Sequence, residues 1–127
     1  METEKLYTVK ELCEKYGITR KTLFYYDKTD LVKPTKRIGT QLWKLYSDDD
    51  VRQLEIVLML REAGLSIDEI KTLTLRHMTV DENIIFFENV KARLLMEKEN
   101  MKRELNKLEV LINDLKEMND IDKNNND

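Results

Sequence analysis

This chain has few residues that interrupt a helix, 3 Gly and 1 Pro, and only 1 Cys and 1 His among 127 residues. A single Cys13 cannot close an internal disulfide, which points to a reducing compartment. One histidine and one cysteine are poor material for a zinc or thiolate metal site, so no metal and no cofactor are expected. No Gly-rich phosphate loop or nucleophile motif occurs, and nothing reads as an enzyme. No apolar run reaches the roughly 20 residues that cross a bilayer, and no basic-then-apolar leader opens the chain, so a cytoplasmic protein without membrane contact is expected.

What the chain does have is charge, 37% of its residues, and Glu, Lys and Leu in a proportion that favours helix. The charge is unevenly placed. Residues 1–46 hold ten Lys/Arg against six Asp/Glu, a net of +4; the rest hold twelve against nineteen, a net of −7, giving the overall −3. Between Lys15 and Lys44, eight basic residues face only Asp27 and Asp30. A basic block within an acidic chain is the footprint of a nucleic-acid binder, although a merely solvated surface would read the same way.

The punctuation marks five helices. Thr8-Val-Lys-Glu11 is a capping box, and Gly17 closes the first helix two turns later. Thr19 caps a second helix to about Lys28, so the two form a helix-turn-helix. Asp30 stands where a left-handed residue is needed, and Pro34 leads out extended. Residues 35–46, with Gly39 between two short stretches, predict a small hairpin, or wing. Ser47 caps a third helix to Ala63, stopped by Gly64; Ser66-Ile-Asp-Glu69 opens a fourth through about Leu75. Val51, Leu54, Leu58, Leu65, Ile67, Ile70 and Leu73 are the expected core of both.

From Val80 to Met118 there is neither Gly nor Pro, and Val80, Phe87, Leu94, Met101, Leu108 and Leu115 recur every seven residues. A sustained seven-residue repeat predicts a coiled coil, with Phe87, Leu94, Met101, Leu105, Leu108, Leu111 and Leu115 as its dimerisation seam. The competing reading folds this helix back on its own domain. A helix of ~40 residues is ~60 Å long, which a small domain cannot cover, so a second copy of the chain is the simpler partner. The fold class is therefore mainly α: a winged helix-turn-helix with a small β-hairpin wing over residues 1–77, including two further helices, a long coiled-coil helix over 78–118, and a polar tail at 119–127 expected to be disordered.

Chemistry follows from placement. The second helix opens with Thr19, Arg20 and Lys21, donors suited to base edges and phosphates. Of Tyr25 and Tyr26, one can pack inward while the other reaches a phosphate; the residues alone leave open which. Lys36, Arg37, Lys44 and Tyr46 on the wing suit the sugar-phosphate backbone. Trp43 can stack on a sugar or prop the wing against the third helix, and the second is the preferred expectation.

Residues 7 to about 76 resemble the DNA-binding domain of the MerR (mercury-resistance regulator) family. The resemblance lies in Tyr7 to Thr19 (YTVKELCEKYGIT), Thr22 to Asp27 (TLFYYD), Leu31 to Pro34 (LVKP), Trp43 to Ser47 (WKLYS) and Leu60 to Ile70 (LREAGLSIDEI), kept in order and spacing. It implies a homodimer joined by an antiparallel coiled coil, a near-palindromic operator in double-stranded DNA, and a promoter with an over-long spacer that is bent and untwisted so that RNA polymerase can use it. It implies that Thr19, Lys21 and Tyr25 touch DNA and that Tyr26, Arg37, Lys44 and Tyr46 grip its backbone. Three departures stand out. Phe24 replaces an Arg and removes a phosphate contact, Asp30 replaces a Gly, and Gln41-Leu42-Trp43-Lys44 replaces Asn-Gly-Tyr-Arg in the wing. The family's sensing region follows the coiled coil, where this chain has only the polar tail. The expectation is either no small-molecule effector or an unknown one bound near Ile84 to Phe87. The alternative function is an architectural or recombination-accessory winged-helix DNA binder.

Overall fold

A computed structural model describes residues 5–39 and 43–125. The chain divides into two compact units, Met1–Met78 and Thr79–Asp127. In the first, β1 (Tyr7–Thr8) leads into α1 (Val9–Tyr16) and α2 (Arg20–Lys28). The hairpin strands β2 (Lys36–Ile38) and β3 (Trp43–Tyr46) follow, then α3 (Asp48–Glu62) and α4 (Ile67–Leu75). The second is one helix, α5 (Val80–Asn125).

The caps sit where the side chains place them. Thr8 and Glu11 form the capping box of α1, Ser47 and Asp50 that of α3, and Ser66 and Glu69 that of α4. Each satisfies two orphan donors at a helix start. The helix-turn-helix closes at Gly17, whose φ of 64° is open to glycine at no steric cost. At the far end of α2, Asp30 takes the same φ of 64°. The N–H groups of Leu31 and Val32 then donate back to the Tyr26 carbonyl at 2.9 and 3.2 Å. That reversal drives Leu31 and Val32 into the core, where both are buried.

The sheet runs β1-β3-β2 with every pair antiparallel. Its short first strand was not anticipated: two residues carry no alternation to read. Leu12, Leu23, Tyr26, Tyr46, Val51, Leu54, Val57, Leu60, Leu65 and Ile70 form most of the core of this unit. Val57 and Leu60 take places expected of Leu58, Ile67 and Leu73, which are only half-buried. The inward stripe of α3 advances by threes from Val51 to Leu60. Tyr7 and Tyr16 donate to Asp48 and Glu55 of α3 at 2.9 and 2.8 Å, tying the start of the chain to that helix. Burial and the Glu55 bond push the Tyr16 phenol up to about 12.

In the second unit, Thr79 and Glu82 make a further capping box, so α5 starts at Val80, slightly beyond the expected residue 78. The helix continues to Asn125. Residues 119–125, expected as a disordered tail, are thus helical here. They contain no Gly or Pro to stop the helix, and Ile121 extends its apolar residues. Residues 126–127 lie outside the described residues. At 1.5 Å per residue α5 spans roughly 70 Å. No described helix is long and apolar enough to cross a membrane.

Candidate nucleic-acid interface

Helix α2 has two sides. Leu23, Tyr26 and Asp27 face inward and are buried. Lys21, Phe24, Tyr25 and Lys28, spaced three and four apart, face out and are exposed, with Arg20 beside them. Thr19 starts the helix, its hydroxyl accepting from the Thr22 N–H at 3.1 Å. The open choice between the tyrosines is resolved by this geometry: Tyr26 is 5% exposed and Tyr25 is 48% exposed. Arg20 and Lys21 form no ion pair with an acid among the described residues, so the start of α2 presents unneutralised cations.

A groove of about 520 Å³ lies along this exposed side. Lys21, Phe24, Tyr25 and Lys28 border it from α2, and Arg61 near the end of α3 and Ile67 at the start of α4 border it opposite. Arg61 donates to the Leu65 carbonyl at 2.8 Å, which fixes its guanidinium beside the turn. The sequence reading missed Lys28 and Arg61. Lys28 was legible, since it stands seven residues after Lys21 on one stripe. Arg61 had no local signal, because only the packing of α3 brings it here.

The hairpin also has two faces. On one, Ile38 and Trp43 are directly opposed across β2 and β3 and are 53% and 68% exposed. Trp43 therefore does not prop the wing against α3: an alternating strand that turns Lys44 and Tyr46 inward must turn Trp43 outward. Lys36 is exposed at the end of β2. Gln41 and Leu42 of the expected wing tip lie outside the described residues.

On the inner face, Arg37 and Lys44 are cross-strand partners that converge on Asp27. Arg37 donates through both terminal nitrogens at 2.9 and 2.6 Å, and the Lys44 ammonium lies 2.7 Å from the same carboxylate. Burial raises the Asp27 pKa, but the bonds from Arg37 and Lys44 outweigh it and hold the carboxyl below its ordinary value. Lys44 also stands 4.0 Å from the centre of the Phe24 ring. Tyr46 is fully buried, and its hydroxyl has no hydrogen-bond partner among the described residues. Burial and the nearby Asp27 charge push its phenol far above the usual value. Of the ten nominated residues, Thr19, Arg20, Lys21, Tyr25, Lys36 and Trp43 reach solvent freely, and Arg37 reaches it in part. Tyr26, Lys44 and Tyr46 are turned inward.

Residues 7–76, more than half of the chain, match the family model described as MerR HTH family regulatory protein. The chain belongs to the MerR family. It is 31% identical over 106 residues to the transcriptional activator mta of Bacillus subtilis, covering 84% of this chain and 37% of that protein. The chain thus spans little more than a third of that relative's length. The solved N-terminal part of the Bacillus subtilis multidrug transporter activator, MtaN, superposes with a TM-score of 0.64 at 29% identity, covering 84% of this chain and 97% of that one. HiNmlR, a MerR family regulator lacking the sensor domain and solved on promoter DNA, superposes with a TM-score of 0.54 at 28% identity over 80% of each chain. A helix-turn-helix, a wing and a long C-terminal helix are therefore the family's architecture in this chain. No group of three or more His, Cys, Asp or Glu side chains that could hold a metal ion occurs among the described residues.

On α5 the expected dimerisation positions are open. Phe87, Met101, Leu105, Leu108, Leu111 and Leu115 are 42–65% exposed, and Leu94 is half-buried. Phe86 and Phe87 meet edge to face at 6.2 Å, and Ile84 and Ile85 are exposed near the start of the helix.

Proposed function

We propose that this chain is a sequence-specific transcriptional regulator that binds a palindromic operator in double-stranded DNA as a homodimer. The single observation that carries this reading is the outer side of α2. Arg20, Lys21, Tyr25 and Lys28 project from a two-turn helix whose other side is anchored by Leu23 and Tyr26. A helix of this size enters the major groove, where base edges carry a distinct donor and acceptor pattern. Thr19, Arg20 and Lys21 at its start then meet base edges or phosphates. Tyr25 presents its hydroxyl to the backbone, and Lys28 and Arg61 flank the strand beside the groove they line. Lys36 and the exposed Ile38–Trp43 pair lie against sugars and phosphates, where contacts set register and not sequence.

The open apolar stripe of α5 supports the homodimer. An apolar stripe of this length left open to water exceeds what an isolated soluble chain tolerates, and a second α5 covers it with matching spacing. Two copies related by a twofold axis read two inverted half-sites. Distortion of promoter DNA and engagement of RNA polymerase are the expected consequence for a family member of this build. A structural neighbour, a MerR family regulator solved on promoter DNA, supports the DNA reading.

The experiment is a salt titration of duplex binding by the parent and by an Arg20→Ala/Lys21→Ala double variant. The parent's affinity should fall steeply with salt, and the variant's slope should be smaller by about 0.9 for each lost phosphate contact. A parent with no salt-sensitive affinity for any duplex would leave α5 as an interaction helix and end the DNA reading.

A further inference from the structure

The recognition helix and both hairpin strands meet at one buried carboxylate. The Asp27 side chain is 8% exposed and receives two nitrogens of Arg37 and the ammonium of Lys44. Those two cations are directly opposed in the β2–β3 register, an arrangement that by itself repels. One carboxylate neutralises only one of them. The second charge meets the face of Phe24, whose ring centre lies 4.0 Å from the Lys44 nitrogen. Phe24 and Asp27 are three residues apart on α2, so ring and carboxylate present side by side to the strand. Lys44 is held between them with its side chain 18% exposed. An ammonium is strongly hydrated, and desolvating it is tolerated only where such partners replace the water.

We propose that Phe24, Asp27 and Lys44 form a latch that sets the stance of the hairpin on α2, so that Lys44 governs DNA affinity by positioning the wing and not by neutralising a phosphate. This rests on the DNA reading above. Phe24 then acts as a positioning residue for DNA binding although it has no polar atom to offer DNA. The outward residues Lys36, Ile38 and Trp43 make the contact, and the latch decides where they stand.

The test uses the full chain and a duplex that the chain itself enriches from random-sequence DNA. Affinity is measured over a salt series for Phe24→Leu, Lys44→Met and the double variant, with thermal unfolding of each to confirm a folded state. Each single change should weaken binding roughly fivefold, with the double variant no weaker than the worse single, because either change alone opens the latch. The slope of log affinity against log salt should be the same in the two single variants, because either change opens the latch and displaces Lys36 alike. A slope reduced by about 0.9 in Lys44→Met, with Phe24→Leu binding as the parent does, would overturn the latch and make Lys44 a phosphate contact. Effects that multiply in the double variant would overturn it as well. If the parent enriches no duplex, the DNA reading fails on its own. The latch is then decided by unfolding: non-additive shifts in Tm retain the Phe24–Lys44 coupling, and additive shifts remove it.

Discussion

Replacing Asp27 by Asn removes one charge and leaves the shape nearly intact, so it isolates the electrostatic function of the hub. In the parent, Asp27 accepts from Arg37 at 2.9 and 2.6 Å and pairs with Lys44 at 2.7 Å, with its side chain 8% exposed. Asn keeps one acceptor oxygen but cannot neutralise either cation, and Arg37 and Lys44 remain opposed across the strands. Removing one partner of a buried ion pair costs about 3–5 kcal/mol. Arg37 is 37% exposed and can rehydrate, so the lower end, ~3 kcal/mol, applies. For a domain of this size each kcal/mol lowers Tm by roughly 4–8 °C, which gives a fall of about 12–24 °C. The assay is thermal unfolding by circular dichroism at fixed protein concentration, since a dimer's Tm depends on it.

The pH dependence has a definite sign. Asp27 is held below its ordinary pKa in the folded chain. Its stabilisation is therefore complete above the unfolded value of about 3.9 and lost as pH falls through the lower folded value. The parent should lose its advantage over Asp27→Asn below about pH 4, and the two should converge in acid. A Tm within about 3 °C of the parent at neutral pH would refute the reasoning, as would a gap that widens on acidification.

Other outcomes follow from the same geometry. Leu108→Asp, in the exposed stripe of α5, should give monomers by analytical ultracentrifugation; an intact dimer would move the interface elsewhere. Leu23→Ala, at a site with no exposure inside α2, should cost about 2–5 kcal/mol in urea unfolding, and an unchanged midpoint would contradict its anchoring function. Lys21→Ala should cost ~1–3 kcal/mol against the preferred base at one operator position if it reads a base edge, and an unaltered preference at every position would exclude that function.

Local rules made much of this protein legible from its residues. The predicted capping boxes at Thr8 and Ser66 and the predicted cap at Ser47 are contacts between residues three apart, so they can be read without knowing the fold. The same holds for Gly17 and Asp30, whose backbone conformation is a property of the residue and its turn. What escaped was tertiary. Nothing near Tyr25 and Tyr26 says which one packs inward; the packing of α2 in the folded unit decides. Lys44 read as a surface cation until β3 brought it beside Asp27 and Phe24, residues 17 and 20 positions earlier in sequence. Trp43 was misplaced for a related reason, since the facing of a four-residue strand depends on register and not on bulk. The end of α5 was set too early because polar composition was taken for disorder, while nothing in residues 119–125 breaks a helix.

Whether α2 reads an operator as part of a dimer is decided most directly by which DNA the chain selects. The full chain should be allowed to retain duplexes from a random-sequence pool at moderate salt, and the enriched sites read out. A homodimer with α2 as its reader predicts one inverted repeat with a fixed distance between halves, and loss of enrichment at the half-site positions when Lys21 is replaced. Enrichment of a single unrepeated half-site, of bent or A/T-rich DNA without a common sequence, or of nothing at all would contradict it.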